Sequence, residues 1–132
     1  MESAEKKRVL WKKSGENFDV SRRACKDGKF NAAASRFYYG MVFAARALLL
    51  ERKGIDIGDD ILWPGHDRFI RMASERLSNF DEDLRDLLYE AFELRIRGDY
   101  EYDSVIREDI DMLEKESADF LAVIQDEIKR NK

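Results

Sequence analysis

The stretch FYYGMVFAARALLL, residues 37–50, most constrains the fold because it is apolar on nearly every side of a helix. A helix without a polar face must be surrounded by other elements, so this segment predicts the central helix of the protein. We expect that helix to run from about residue 31 to residue 53, with Gly54 ending it. Arg46 interrupts the apolar run, which argues against a membrane span.

Four further segments show helical spacing and can supply the surrounding helices. Residues 3–27 carry an inner face that ends before Gly28 and consists of Trp11, Ser14, Phe18, Ser21 and Cys25. A short helix is predicted in HDRFIRMASERL, residues 66–77, after the loop GIDIGDDILWPG. The fourth helix along the chain has an apolar stripe of Leu84, Leu87, Leu88, Ala91 and Phe92, and Gly98 is expected to weaken or stop that helix.

The last segment carries a seam close to a heptad repeat, with charges elsewhere: Ile106, Ile110, Leu113, Ser117, Phe120, Ile124 and Ile128. No segment shows the alternation of a strand. The pattern therefore predicts an all-α fold, a four- or five-helix up-and-down antiparallel bundle that forms a single domain over residues 1–132.

Composition limits the functional classes. The 132 residues include 24 basic and 28 acidic side chains, a formal charge of −4, so any nucleic-acid site must be local. One cysteine, Cys25, and one histidine, His66, exclude an intrachain disulfide and a cysteine or histidine metal cluster. We expect no metal and no cofactor. No segment resembles a signal peptide or a membrane span, so we expect a cytoplasmic protein without membrane contact.

Arg95 is unusual because on a regular helix it falls within about 20° of Leu84 and Leu88. A cation aimed along an apolar stripe is costly unless it is paired. One interpretation pairs Arg95 with the carbonyls at the end of its helix or with an acid from another helix. The other interpretation has Arg95 meet a phosphate.

The segment DYEYD follows this helix. In one interpretation it is a turn in which Asp103 or Ser104 caps the last helix while Tyr100 and Tyr102 cover the end of the bundle. In the other interpretation the phenols donate hydrogen bonds or provide stacking surfaces beside Arg95. The residues alone leave both open.

Three stretches together resemble the HEPN family of small helical domains. They are AASRFYYGMVFAARALLLERKGI at 33–55, GHDRFIRM at 65–72 and ELRIRGDYEYD at 93–103, and their order and spacing are similar to those of the family. The resemblance implies a four- or five-helix bundle that forms homodimers. It also implies a minimal nucleotidyltransferase, encoded alongside, as a partner. Many relatives are RNA-cutting toxins of toxin–antitoxin or defence systems.

The resemblance implies a site made of an arginine, four to six further residues and then a histidine, supplied by both protomers. The arginine of that motif is Arg95 here, but Tyr100 stands where the histidine is expected. A phenol holds its proton too tightly at neutral pH to be a good proton shuttle. His66 is the alternative source of an imidazole, or else makes only local hydrogen bonds at a helix start.

Further family positions match this sequence. Tyr102 occupies the position at which some toxins accept AMP from the partner enzyme. Four residues belong to the signature helix and either pack or line the same cleft: Ser35, Arg36, Tyr38 and Tyr39. The nucleotide- or RNA-binding residues implied in this way are Arg95, Arg36, Tyr39, Tyr100 and His66.

Three hypotheses are therefore open. The first is a homodimeric nucleotide- or RNA-binding partner of a nucleotidyltransferase in a toxin–antitoxin or related two-gene system. The second is a metal-independent ribonuclease with an altered site in which Arg95 and Tyr100 are catalytic. The third is a structural module that docks another protein through an apolar face.

Overall fold

Four long α-helices make up most of the described chain. The computed structural model describes residues 2–56 and 80–130. The helices are α1 (Ser3–Lys26), α2 (Phe30–Lys53), α3 (Phe80–Tyr100) and α4 (Arg107–Arg130), and no strand occurs within the described ranges. The all-α class is confirmed. The short helix predicted over residues 66–77, which contains His66, lies outside the described residues.

Helix α2 lies at the centre of the bundle, as its apolar sequence predicts. It contacts each of the other three described helices, and Val42, Ala47 and Leu48 on different sides of it are fully buried. Gly54 ends α2 in the left-handed region with φ 64°, a conformation that glycine adopts without the strain of a side chain.

Helix α1 packs antiparallel against α2 through two buried serines. The Ser14 hydroxyl donates to the Gly40 carbonyl at 2.7 Å, and the Ser21 hydroxyl donates to the Ala33 carbonyl at 2.8 Å. A buried hydroxyl left without a partner costs about 1–3 kcal/mol, so these contacts fix the register of the two helices. A Cβ atom on Gly40 would lie only 2.7 Å from the Phe18 ring, so glycine is required for this close packing.

Helix α3 also runs antiparallel to α2 and approaches it closely at Gly98. A Cβ atom there would lie 2.9 Å from the backbone oxygen of Asn31. The helix does not stop at Gly98 but continues to Tyr100. Glycine costs about 1 kcal/mol of helix propensity, and the close approach of two helix backbones that it permits offsets that cost.

The start of α4 differs from the sequence prediction. Neither Asp103 nor Ser104 caps the helix, which begins at Arg107. The Asp109 carboxylate accepts a hydrogen bond from the backbone N–H of Ile106 at 3.2 Å and thereby holds the first turn. Ile106 consequently lies outside the helix and is 53% exposed, so its assignment to the buried seam is wrong.

The rest of the α4 seam is confirmed. Its buried members are Ile110, Leu113, Ser117, Ile124 and Ile128, and Phe120 is partly buried. At the far end of the bundle, Arg52 of α2 donates to Glu127 of α4 through Nε at 3.0 Å. This half-buried pair sets α4 alongside α2 in a parallel direction.

Candidate functional site: an arginine among tyrosines

Arg95 lies on the side of α3 that faces α2. Leu88 and Ala91, which precede it at helical spacing, are buried against α2. The Arg95 side chain is itself only 12% exposed. The structure therefore bears out the unusual geometry inferred from the sequence, with a cation on an apolar helix face.

Three tyrosine rings surround the Arg95 guanidinium. Its central carbon lies 5.8 Å from the ring centroid of Tyr38, 5.5 Å from that of Tyr39 and 5.9 Å from that of Tyr100. Cation–π attraction extends to about 6 Å, and it strengthens as the cation loses water. Two rings come from α2 and the third from the end of α3, so the close contact of these helices builds the cage.

The hydrogen bonding of Arg95 is incomplete. Its Nε atom lies 3.6 Å from the Asp99 carboxylate one turn later on α3, which is too long for an N–H···O hydrogen bond. The same Nε is buried and has no hydrogen-bond partner among residues 2–56 and 80–130. Within the described residues, the acid beside Arg95 is thus Asp99 of its own helix rather than an acid from another helix or a terminal carbonyl. In these ranges one donor of the guanidinium is left unsatisfied.

Tyr38 forms the buried wall of the cage. It is fully buried, and its ring also packs against Phe92 with centroids 5.6 Å apart. Burial raises the pKa of the Tyr38 hydroxyl well above its ordinary value, although the charge of Arg95 acts in the opposite direction. The phenol is therefore neutral at physiological pH and does not neutralise the guanidinium.

Tyr100 and Tyr102 are the exposed part of the site. Tyr100 is 71% exposed even though its ring lies near Arg95, and Tyr102 is fully exposed in the bend after α3. The interpretation that both tyrosines cover the end of the bundle is wrong. Tyr100 instead borders the cage on the solvent side, while no contact in the described residues joins Tyr102 to Arg95.

Arg36 and His66 are not part of the described cage. Arg36 lies one turn before Tyr39 on α2 and is exposed, and its guanidinium donates to the Asn17 side chain of α1 at 3.4 Å. It therefore stands at the α1 side of the site rather than beside Arg95. His66 lies outside the described residues.

Asn31 holds the segment that follows Tyr100. Its side-chain oxygen accepts a hydrogen bond from the backbone N–H of Val105 at 2.8 Å. Arg97, which points away from the cage, pairs with Asp109 of α4 at 3.3 Å. These two contacts attach the connection between α3 and α4 to the rest of the bundle, close to the exposed tyrosines.

Sequence reasoning missed one contributor to the cage, Asp99. It follows Arg95 by four residues, the spacing of side-chain pairs on one helix face, so its position was available as a signal. For Tyr38 and Tyr39, packing and lining of the cleft were both open, because no spacing within α2 reveals which of two adjacent tyrosines faces another helix. In the structure both rings lie beside Arg95, and Tyr38 is also fully buried.

Neither a candidate metal-binding group nor a membrane-spanning helix occurs within the part of the chain that the structure describes. No group of three or more histidine, cysteine, aspartate or glutamate side chains that could hold a metal ion occurs within residues 2–56 and 80–130. None of the helices in this part of the chain is long and apolar enough to cross a membrane.

Comparison with known proteins identifies the family. The HEPN domain family matches residues 8–127, which is nearly the whole chain. No protein with a curated description matches the sequence. The matched region contains most of α1, all of α2 and α3, most of α4, and Arg95 with its three tyrosines. On this evidence the chain belongs to the HEPN domain family.

Proposed function

We propose that this HEPN protein binds the phosphate of a nucleotide or RNA at Arg95. The observation that carries the proposal is the buried Nε donor of Arg95, which has no hydrogen-bond partner among the described residues. A buried unsatisfied donor is costly, so it requires an explanation, and an ion that completes its bonding is one such explanation. Guanidinium groups present a planar set of donors that suits phosphate oxygens.

The tyrosines favour a nucleotide over a bare anion. The ring of Tyr100 is 71% exposed at the edge of the cage, so a base can stack on it while the phosphate meets Arg95. Base–aromatic stacking contributes about 1–3 kcal/mol per base. Asp99 stands beside the guanidinium and would turn from Arg95 as a phosphate arrives, because two anions repel at this distance.

Binding is favoured over RNA cleavage by the same residues. In-line cleavage needs a group that exchanges protons near neutral pH, and the described cage holds phenols and a guanidinium. We therefore assign Arg95 and Tyr100 to binding. The alternative, a metal-independent ribonuclease, is tested by incubating RNA with the protein and a chelator, and cleavage that is lost in Arg95→Gln would establish it.

The wider system is part of the proposal. A homodimer would bring two copies of the cage together by two-fold symmetry, and a minimal nucleotidyltransferase in a toxin–antitoxin or related two-gene system is the expected partner. Tyr102, fully exposed after α3, is the residue that this partner would modify with AMP. Mass spectrometry of the protein after incubation with the partner and ATP tests that assignment, and an unmodified Tyr102 would contradict it.

Fluorescence anisotropy with labelled single-stranded RNA, and competition by unlabelled nucleotides, tests the binding site. We expect Arg95→Gln to weaken binding at least about tenfold, because a hydrogen bond to a charged group contributes about 1.5–3 kcal/mol. Arg85→Gln is the matched control, since Arg85 is a more exposed arginine of the same helix and pairs only with adjacent Asp86 among the described residues. Equal affinities for wild type and Arg95→Gln would contradict the proposal.

A further inference from the structure

A groove runs between α3 and α4 on the side of α3 that lies away from Arg95. These two helices contact each other far less extensively than α1 and α2 do. Two neighbouring depressions of about 170 and 340 Å³ make up the groove, and Glu90 borders both of them. Glu93, which also lines it, lies about 160° around α3 from Arg95. We call this feature the α3–α4 groove.

The floor of the α3–α4 groove is apolar. Leu87, Leu94 and Leu113 form it, and none of them is more than 9% exposed. Met112 also lines the groove and is 54% exposed. Methionine is flexible and polarisable, and it is frequent at surfaces that bind varied apolar partners. The groove is therefore open to solvent at Met112, where it can bury an apolar side chain of another molecule.

Three glutamates give the rim of the groove a negative charge. Glu90, Glu93 and Glu116 are all exposed, and none of them has a cationic partner among residues 2–56 and 80–130. Several carboxylates elsewhere in the bundle are held by cations, in the pairs Lys6–Asp56, Lys7–Glu51, Arg22–Asp19 and Arg52–Glu127. The rim thus differs from these surfaces because its charge is not compensated within the described chain.

The rim carboxylates are close enough to perturb one another. Glu90 of α3 shares a hydrogen bond with the Glu116 side chain of α4, across the groove. Partial burial is the main cause that raises the pKa of Glu90, and the charges of Glu116, Asp86 and Glu93 raise it further. A cation bound beside them would relieve this repulsion. Within the described residues the carboxylates do not converge into a metal-binding group, so the cation that fits is an extended one.

We propose that the α3–α4 groove binds a lysine- or arginine-rich amphipathic helix of a partner protein. Apolar side chains of this helix enter the floor beside Met112, and its cations pair with the rim glutamates. Amphipathic helices bind in apolar grooves in this way, whereas a polyamine would leave the floor uncovered. The stretch of α3 from Asp86 to Arg97 covers about 16 Å, the length of about three turns of a bound helix.

The one cation of the groove wall does not oppose a basic partner. Arg97 lines the groove, but its guanidinium pairs with Asp109 of α4 at 3.3 Å. Its charge is thereby compensated, and the groove keeps the negative charge of its rim. The proposal does not depend on the phosphate site, because Arg95 faces α2.

Fluorescence anisotropy with a labelled amphipathic peptide of leucine and lysine tests the proposal. A peptide of about 14 residues forms about four helical turns, which is long enough for the groove. We expect it to bind wild type at least about tenfold more tightly than a peptide of the same composition without an apolar face. A peptide with glutamate in place of lysine should not bind. Added salt should weaken the binding, because it screens exposed charges.

Substitutions in the groove identify the site. Glu93→Gln should weaken binding of the leucine–lysine peptide about two- to fivefold, as expected for one exposed charge pair. Met112→Gln should weaken it about five- to tenfold, because an apolar contact is lost. Both side chains are exposed, so the bundle still folds. Glu16→Gln and Val20→Thr in α1 are the matched controls and should change nothing, since Glu16 is an exposed acid and Val20 is 42% exposed.

Methionine methyl resonances locate the bound peptide. The Met112 methyl peak should shift when the peptide is added, while the peak of fully buried Met41 stays in place. Equal affinities for the two lysine peptides, or equal affinities of wild type, Glu93→Gln and Met112→Gln, would overturn the proposal. Self-association of the protein alone that is weakened by Met112→Gln would identify a second copy as the occupant and reject a partner helix. Arg95→Gln should bind the peptide like wild type, so failure of the phosphate site leaves this test unaffected.

Discussion

Replacing Gly98 by alanine tests whether the close approach of α2 and α3 builds the site. A Cβ atom at this position would lie 2.9 Å from the Asn31 backbone oxygen and 3.1 Å from its Cα atom. Backbone atoms of a packed helix cannot rotate away, so the two helices must separate. That separation would also withdraw Tyr38 and Tyr39 from Arg95, because they lie on the same helix as Asn31.

Two opposing terms set the size of the effect. Alanine gains about 1 kcal/mol of helix propensity over glycine, and overpacking of a well-packed interface costs about 1–3 kcal/mol. Gly15→Ala in α1 isolates the first term, because a Cβ atom there would meet no atom within 4 Å. We expect Gly15→Ala to stabilise the protein and Gly98→Ala to be less stable than Gly15→Ala by about 1–3 kcal/mol.

Urea unfolding followed by circular dichroism gives both free energies of unfolding by linear extrapolation. Measurements at two protein concentrations separate the effect of any self-association from that of the fold. The same change in the free energy of unfolding for both variants would refute the reasoning, since it would mean that α2 and α3 do not constrain each other at Gly98.

Three further predictions concern titration and charge. Burial is the main cause that raises the pKa of Glu90, and the negative charges of Glu116, Asp86 and Glu93 raise it further. Folding therefore favours the protonated form of Glu90. The resulting stability is present at low pH and is lost as the pH rises through the raised pKa. Glu90→Gln should be more stable than wild type at pH 7 and no different below about pH 4, and urea unfolding that shows the reverse would contradict this. Asp99→Asn should tighten UMP binding about two- to fivefold in a titration. The reason is that the ion pair between Asp99 and Arg95, worth at most about 1 kcal/mol, no longer competes with the phosphate. Unchanged or weaker binding would argue against a phosphate at Arg95. Burial also raises the pKa of the Cys25 thiol, against the opposing charge of Arg107. Iodoacetamide should therefore label Cys25 more slowly in the native protein than in the urea-unfolded protein at pH 7.5. Equal labelling rates would show that the native protein has an accessible thiolate.

Helix positions could be predicted because burial imposes a period on the sequence. The buried faces of α1 and α4 follow the predicted spacing, from Ser14 to Cys25 and from Ile110 to Ile128. The errors fall where a contact between helices overrides a local preference. Gly98 continues α3 because Asn31 lies against it, and α4 begins after Ile106 because Asp109 holds its first turn.

The candidate site could be predicted only in part. The placement of Arg95 on an apolar face follows from helical geometry, and the family motif led to Tyr39 and Tyr100. The arrangement of the cage depends on how α2 and α3 pack, so neither the ring of Tyr38 nor the incomplete bonding of Nε was accessible from residue spacing.

The proposed site depends above all on a phosphate that accepts a hydrogen bond from the Nε–H donor of Arg95. Nuclear magnetic resonance of the arginine Nε–H groups observes this donor directly, and the peak that is missing in Arg95→Gln assigns it. On titration with UMP or a uridine tetranucleotide, we expect the Arg95 peak to shift and its exchange with water to slow, while the Arg85 peak stays in place. Binding of either ligand that leaves the Arg95 peak unmoved, or the absence of any binding, would contradict the account.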